Sequence, residues 1–287
     1  MVSLLTTLAL SVSAVSYPPN GVWVKSILES EAAKAVIASH ARHPVVSWIP
    51  NPRQEIIHSG AHNTLVLPDE PIFTAIAKAT RSVQNLLVEN REDAAYAYIS
   101  DLRQMHPEFE EGILDLCLKC ELLTGHYDEA FQDVVMRITA GGFDAEEPYL
   151  SLALASAARG QVFSGQAEYC QSWIQTYTRY QGRSQQVQLG APGQSPHDIM
   201  VLSALALGTK STPEFLELAL RLDPSNDIAA RKAILYYGFR GRYSDIRRIS
   251  SGMVDRLAAG ESRDYYVNQI STIAGLKDKP LHPVIKP

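Results

Sequence analysis

Leu123-Thr124-Gly125-His126-Tyr127-Asp128-Glu129-Ala130-Phe131 reads as the joint between two helices: an apolar helical run, a turn-forming glycine, a short polar turn, then a second run. The same grammar returns at Asn90, Gly160 and Gly241. The intervals from 90 to 125 and from 125 to 160 are 35 residues each, and the one from Gly208 to Gly241 is 33. A period of this length is the signature of a helical repeat array. The chain therefore reads as a stack of helix pairs, an architecture that builds extended binding surfaces and rarely carries catalytic groups of its own.

The chain has 287 residues, 46% of them hydrophobic, which is enough for one elongated solenoid or two compact domains. A formal net charge of −5 argues against a polyanionic partner, since nucleic-acid binders present a basic face. Nucleic acid is not expected as a partner. The one small cationic cluster, Arg240, Arg242, Arg247 and Arg248, is interleaved with Asp245 and reads as a solvated helix-turn-helix edge.

Three cysteines make no disulfide framework. Cys117 and Cys120 form a Cys-x-x-Cys pair, but in mid-helix, with no second pair and no adjacent strand, so they read as small buried residues at a helix contact. His58 and His62 lie in a glycine-containing segment without further ligands, which reads as surface histidines rather than a metal site. No nucleophile elbow, phosphate-cradling loop, His-rich metal helix or paired-carboxylate motif occurs in the sequence, so neither a cofactor nor a catalytic residue is expected.

Residues 1–16 carry no charged side chain and run from an apolar core into Ser13-Ala14-Val15-Ser16, matching a secretory signal that lacks basic residues at its head. The stretch is shorter than the roughly 20 residues that span a bilayer. Export to an extracytoplasmic location, secreted or periplasmic, is the expectation. Membrane association follows only if this segment is retained, and a cytoplasmic location follows if it is no signal.

Residues 17–71 divide into a helix from Ser26 to His43 and an irregular stretch rich in proline, with Pro44, Pro50, Pro52, Pro68 and Pro71. From Ile72 the spacing is helical. Ile72 to Leu87 and Ala94 to Leu102 form a first pair around Asn90, Glu108 to Ala140 a second around Gly125, and Tyr149 to Tyr180 a third around Gly160. A loop rich in Gln, Gly, Ser and Pro interrupts the repeat at 181–196. Asp198 to Leu207, stopping at Gly208, pairs with a helix that begins at Ser211-Thr212-Pro213-Glu214. Ile228 to Phe239 and Ser244 to Ala259 flank Gly241, and Ser262 to Leu276 follows as a cap buried through Tyr265, Tyr266, Ile270 and Ile273. Residues 277–287 read as a disordered tail.

These residues resemble the tetratricopeptide repeat family, a 34-residue helix-turn-helix motif. Gly125-His126-Tyr127-Asp128-Glu129-Ala130 matches the family's inter-helix turn and the small alanine that opens its second helix, and Leu220-Arg221-Leu222-Asp223-Pro224-Ser225-Asn226 matches its ending. Tyr237, Gly241 and Tyr243 then fall on the family's aromatic, glycine and aromatic positions in register. Asn90 in place of the turn glycine and Gly165 in place of the alanine are departures from the pattern.

The resemblance implies an all-α fold, a right-handed superhelix of about five helix pairs over residues 72–276 with a C-terminal capping helix, whose inner helices line a concave groove for a peptide or partner helix. Carried over residue by residue, the groove-facing candidates are Gln84, Asp115, Lys119, Leu150, Leu154, Arg231 and Leu235. The function expected is a non-catalytic interaction scaffold or adaptor. The alternative is a helical enzyme or enzyme domain with a pocket formed by segments 44–71 and 181–196.

Overall fold

The computed structural model describes residues 22–42, 70–107, 110–140, 147–180, 195–210 and 213–278. Among them are thirteen helices and no strand: α1 (Val22–Leu28), α2 (Glu31–Arg42), α3 (Glu70–Val88), α4 (Glu92–Met105), α5 (Glu110–Thr124), α6 (Tyr127–Ala140), α7 (Glu147–Ala158), α8 (Gln166–Tyr180), α9 (Pro196–Lys210), α10 (Glu214–Leu222), α11 (Asp227–Arg240), α12 (Tyr243–Arg256) and α13 (Glu261–Thr272). The fold is all-α, as expected. The presumed signal, the two histidines, most of the Pro-rich stretch, most of the 181–196 loop and the end of the tail lie outside the described residues.

The joints follow one rule. Asn90, Gly125, Gly160 and Gly241 all have left-handed backbones, with φ of 56°, 86°, 75° and 67°, and Asn90 is the only non-glycine residue with positive φ among the described residues. After each, the next amide donates to the carbonyl five residues back: Arg91 to Leu86, His126 to Glu121, Gln161 to Ser156 and Arg242 to Tyr237, each at 2.9 Å. This is the Schellman closure, which satisfies helix carbonyls left without a partner and reverses the chain. Only glycine and, at some cost, asparagine tolerate that φ, which explains why the repeat is punctuated by these two residues.

Two compact units result, one comprising Ser30–Ala140 and the other Met1–Glu29 with Gly141–Pro287. The division runs through the stretch read from the sequence as one repeat domain. In the first unit, α3 packs on α4, α4 on α5 and α5 on α6, with α3 also against α5 and α2 against α6. Its core is drawn from Ala79, Val83 and Leu87 on α3, Ala95 and Ile99 on α4, Ile113 and Leu122 on α5, and Ala130, Phe131 and Val134 on α6. The alanines that open α4 and α6 are fully buried, where small side chains let helices approach closely. Cys117 and Cys120 are buried free thiols in the same core.

In the second unit α7 packs on α8 and α9, α8 on α9, and α9 on α10; α10, α11, α12 and α13 then pack in succession, and α1 lies against α7. Helices α7 and α9 are apolar on every side, with Leu150, Leu152, Leu154, Ile199, Leu205 and Leu207 all buried. Two of their buried hydroxyls are satisfied within the core: Ser156 accepts from Gln166 Nε2 at 2.7 Å, and Ser203 donates to the Ile199 carbonyl at 2.7 Å. Trp23 of α1 is buried against Tyr169 of α8, with ring centroids 5.4 Å apart.

Three local readings are corrected. The single helix expected from Ser26 to His43 is two, because Ser30 caps a new start by accepting from the Ala33 amide at 3.3 Å. Gly208 is not a turn but an interior residue of α9, where its missing side chain admits Leu216 of α10: a Cβ built there lies 2.8 Å from the Leu216 nitrogen. The chain after α13 does not leave the fold at Lys277. Asp278 accepts from the Ser244 amide at 2.7 Å and from its hydroxyl, capping α12, whose own N-cap residue Arg242 makes no side-chain cap bond.

Candidate functional site

The seven surface candidates divide sharply. Gln84 on α3 is exposed. Asp115 on α5 is exposed but engaged, accepting from Arg137 of α6 at 2.9 and 3.1 Å, and Lys119 is half-buried one turn further along. Leu150 and Leu154 have no exposed surface, so they are core residues of α7 and offer nothing to an incoming chain. The family register could not reveal this, because α7 has no polar face from which to read an outside.

Arg231 on α11 is committed to packing. Its Nε donates to Asp227 at 2.7 Å, and its guanidinium carbon sits 4.2 Å from the centroid of the Tyr265 ring. Tyr266, fully buried, donates its hydroxyl to Asp227 at 2.7 Å, so Asp227 and Arg231 each join α11 to the capping helix. Burial and this acceptor push the Tyr266 phenol well above its ordinary range.

Leu235 lies one turn beyond Arg231 and is 42% exposed, and Phe239, one further turn on, is 84% exposed. Residues four apart share a helix face, so the two form an apolar strip on α11 that the fold does not cover. Phe239 was missed in the sequence because it reads as the end of the helix; its spacing of four from Leu235 was the available signal.

The cationic cluster next to this strip is largely neutralised. Arg248 donates to Glu217 of α10 at 2.6 Å and to Asp245 at 3.2 Å, and Arg242 lies 2.6 Å from Asp245. Tyr237, also buried, donates to Glu217 at 2.8 Å, which together with burial raises its phenol far above the usual value. Arg242 and Arg248 thus clamp α12 to its neighbours through Asp245 and Glu217, while Arg240, Arg247 and Arg248 stay exposed, as the solvated edge read from the sequence requires.

A second charged group, which the sequence did not reveal, lies among α4, α5 and α6. Arg103 of α4 donates to both carboxylate oxygens of Asp133 of α6, at 2.8 and 2.9 Å, and reaches Glu121 of α5 at 3.5 Å. Both carboxyls are at most 5% exposed. Desolvation first, then the neighbouring Asp133, raises the Glu121 carboxyl to about 8. Burial likewise pushes the Cys117 thiol beside it up to about 12. On the outer side of this group Tyr96 stacks on His126 at 3.8 Å and donates to Glu129 at 2.8 Å, tying α4 to the α5–α6 joint. Residues 12 to 30 positions apart in the sequence form this group, so no local spacing announces it.

Among the described residues no helix is long and apolar enough to cross a membrane, and no set of three or more His, Cys, Asp or Glu side chains is placed to hold a metal ion. Comparison of the chain with protein-family models, with curated proteins and with solved structures finds no match in any of the three.

Proposed function

We propose that this chain is a non-catalytic protein–protein interaction scaffold of tetratricopeptide-like design, in which the helix pairs of each unit coil as a right-handed superhelix and α11 presents a binding face to a peptide or partner helix. The observation that carries this reading is the uncovered strip of Leu235 and Phe239, 42% and 84% exposed one turn apart. A large aromatic side chain held in water forgoes about 1.5–3 kcal/mol of burial, and an aromatic anchor beside a second apolar residue is what a partner helix fits. The Schellman joints at Asn90, Gly125 and Gly160 support the family reading, since they set the helix pairs there at a 35-residue interval. Export of the scaffold to an extracytoplasmic location is part of the same proposal, on the strength of the uncharged apolar run at residues 1–16.

The test is affinity capture from the native source with the full chain and with a Leu235→Ser/Phe239→Ser variant, whose helicity is checked by circular dichroism. The reading expects a partner retained by the parent chain and lost from the variant at unchanged helicity. Equal capture by both removes α11 as the binding face.

A further inference from the structure

We infer that Glu121 keeps a proton in the folded chain, where it faces the side chain of Asp133, and that this proton makes the junction of α4, α5 and α6 a pH-sensitive joint that loosens as the solution becomes alkaline. Two carboxyls, 4% and 5% exposed, face one guanidinium, and the guanidinium is spent: both oxygens of Asp133 are bonded to Arg103, while Glu121 receives a single contact at 3.5 Å. The other Glu121 oxygen, Oε2, is buried without a hydrogen-bond donor. A second ionised carboxylate in this place is a buried charge without adequate compensation, whereas a protonated Glu121 donates to Asp133 and leaves one anion opposite one cation.

Among the described residues no cation other than Arg103 is bonded to Glu121. From α4 come Arg103 and the Tyr96 hydroxyl, which is bonded to Glu129; from α6 come Asp133 and Glu129, both acidic; on α5 itself the neighbours are the buried thiols of Cys117 and Cys120. The charged side chains described on α3, which also packs on α5, are Lys78 and Arg81, both exposed. The raised Glu121 value has this same arrangement as its cause.

The sign follows from proton linkage. A carboxyl that keeps its proton in the folded chain to about pH 8 loses it in the unfolded chain near its model value of 4.5, so the unfolded chain binds fewer protons in between. The stabilising contribution is full below the unfolded value, falls as pH rises through the interval, and is gone above the folded value. Since α5 carries Asp115 and Lys119, the same proton sets how firmly that part of the surface is held.

The test is the pH dependence of unfolding of the full chain beside Glu121→Gln, in which an amide reproduces the protonated shape and its donor. The unfolding constant of the parent relative to the variant should rise by about tenfold per pH unit between roughly pH 5 and 8, then level off. Parallel pH profiles for the two chains overturn the inference. If the variant does not fold, a carbon-13 titration of the Glu121 carboxyl in the parent decides: a protonated signal at pH 6.5 is expected, and an ionised one overturns the proposal.

Discussion

Replacing Gly208 by alanine separates the two roles that a glycine can have in a helical repeat. Ala is the better helix former by about 0.5–1 kcal/mol, so propensity alone says that Gly208→Ala stabilises α9. The structure says the reverse. The added Cβ lies 2.7 Å from Leu216 Cγ, 2.8 Å from its Cδ2 and 2.8 Å from its backbone nitrogen. Non-bonded carbons rest at about 3.5–4.0 Å, so the neighbour must retreat by close to 1 Å. A new rotamer of Leu216 relieves the first two contacts but not the third, which belongs to the first turn of α10. Overpacking of this kind costs about 1–3 kcal/mol, and after the propensity gain the net loss is about 0.5–2 kcal/mol. For a unit of this size that lowers Tm by about 1–8 °C. Gly252→Ala is the control: its Cβ meets only Arg256 Nη1, the end of an exposed, flexible side chain at 2.8 Å, so there the propensity gain prevails and Tm rises. Thermal unfolding followed by circular dichroism reads both. A Gly208→Ala chain as stable as the parent would refute the close approach of α9 and α10.

Three further outcomes are expected. Gly160→Ala costs about 1–2 kcal/mol in a urea titration, and purely through its backbone, because φ is 75° and nothing lies within 4 Å of the new Cβ; Gly160→Asn costs less, as Asn90 shows that asparagine can fill this position. Tyr266→Phe loses the hydroxyl bond to Asp227 and destabilises the cap of α13 on α11 by about 1–2 kcal/mol, seen as faster hydrogen exchange in α13. Iodoacetamide leaves the native protein unlabelled at pH 8, because all three thiols are buried and Cys117 and Cys170 are pushed up to about 12, while three adducts form in denaturant.

The joints were legible because left-handed backbone narrows the choice of residue to glycine and asparagine, so Asn90, Gly125, Gly160 and Gly241 announce themselves. Gly208 did not, since a glycine chosen for close approach looks the same in sequence as one chosen for its φ. The capping helix was readable from the spacing of Tyr266 and Ile273, both buried. The sidedness of α7 was not, because Leu150-Ser151-Leu152-Ala153-Leu154 has no polar face. Arg231 read as a groove-facing residue, and only tertiary packing brings Tyr265 to it. The Arg103–Glu121–Asp133 group is invisible along the chain because three helices each contribute one member.

The central claim, that α11 offers its strip of Leu235 and Phe239 to a protein partner, is met most directly by photo-crosslinking. A benzophenone amino acid placed at position 239 of the full chain is compared with the same probe at Asp255, an exposed position on α12. The account predicts one discrete protein adduct from position 239 and none from 255. Adducts of equal yield from both positions, or none from 239, would contradict it.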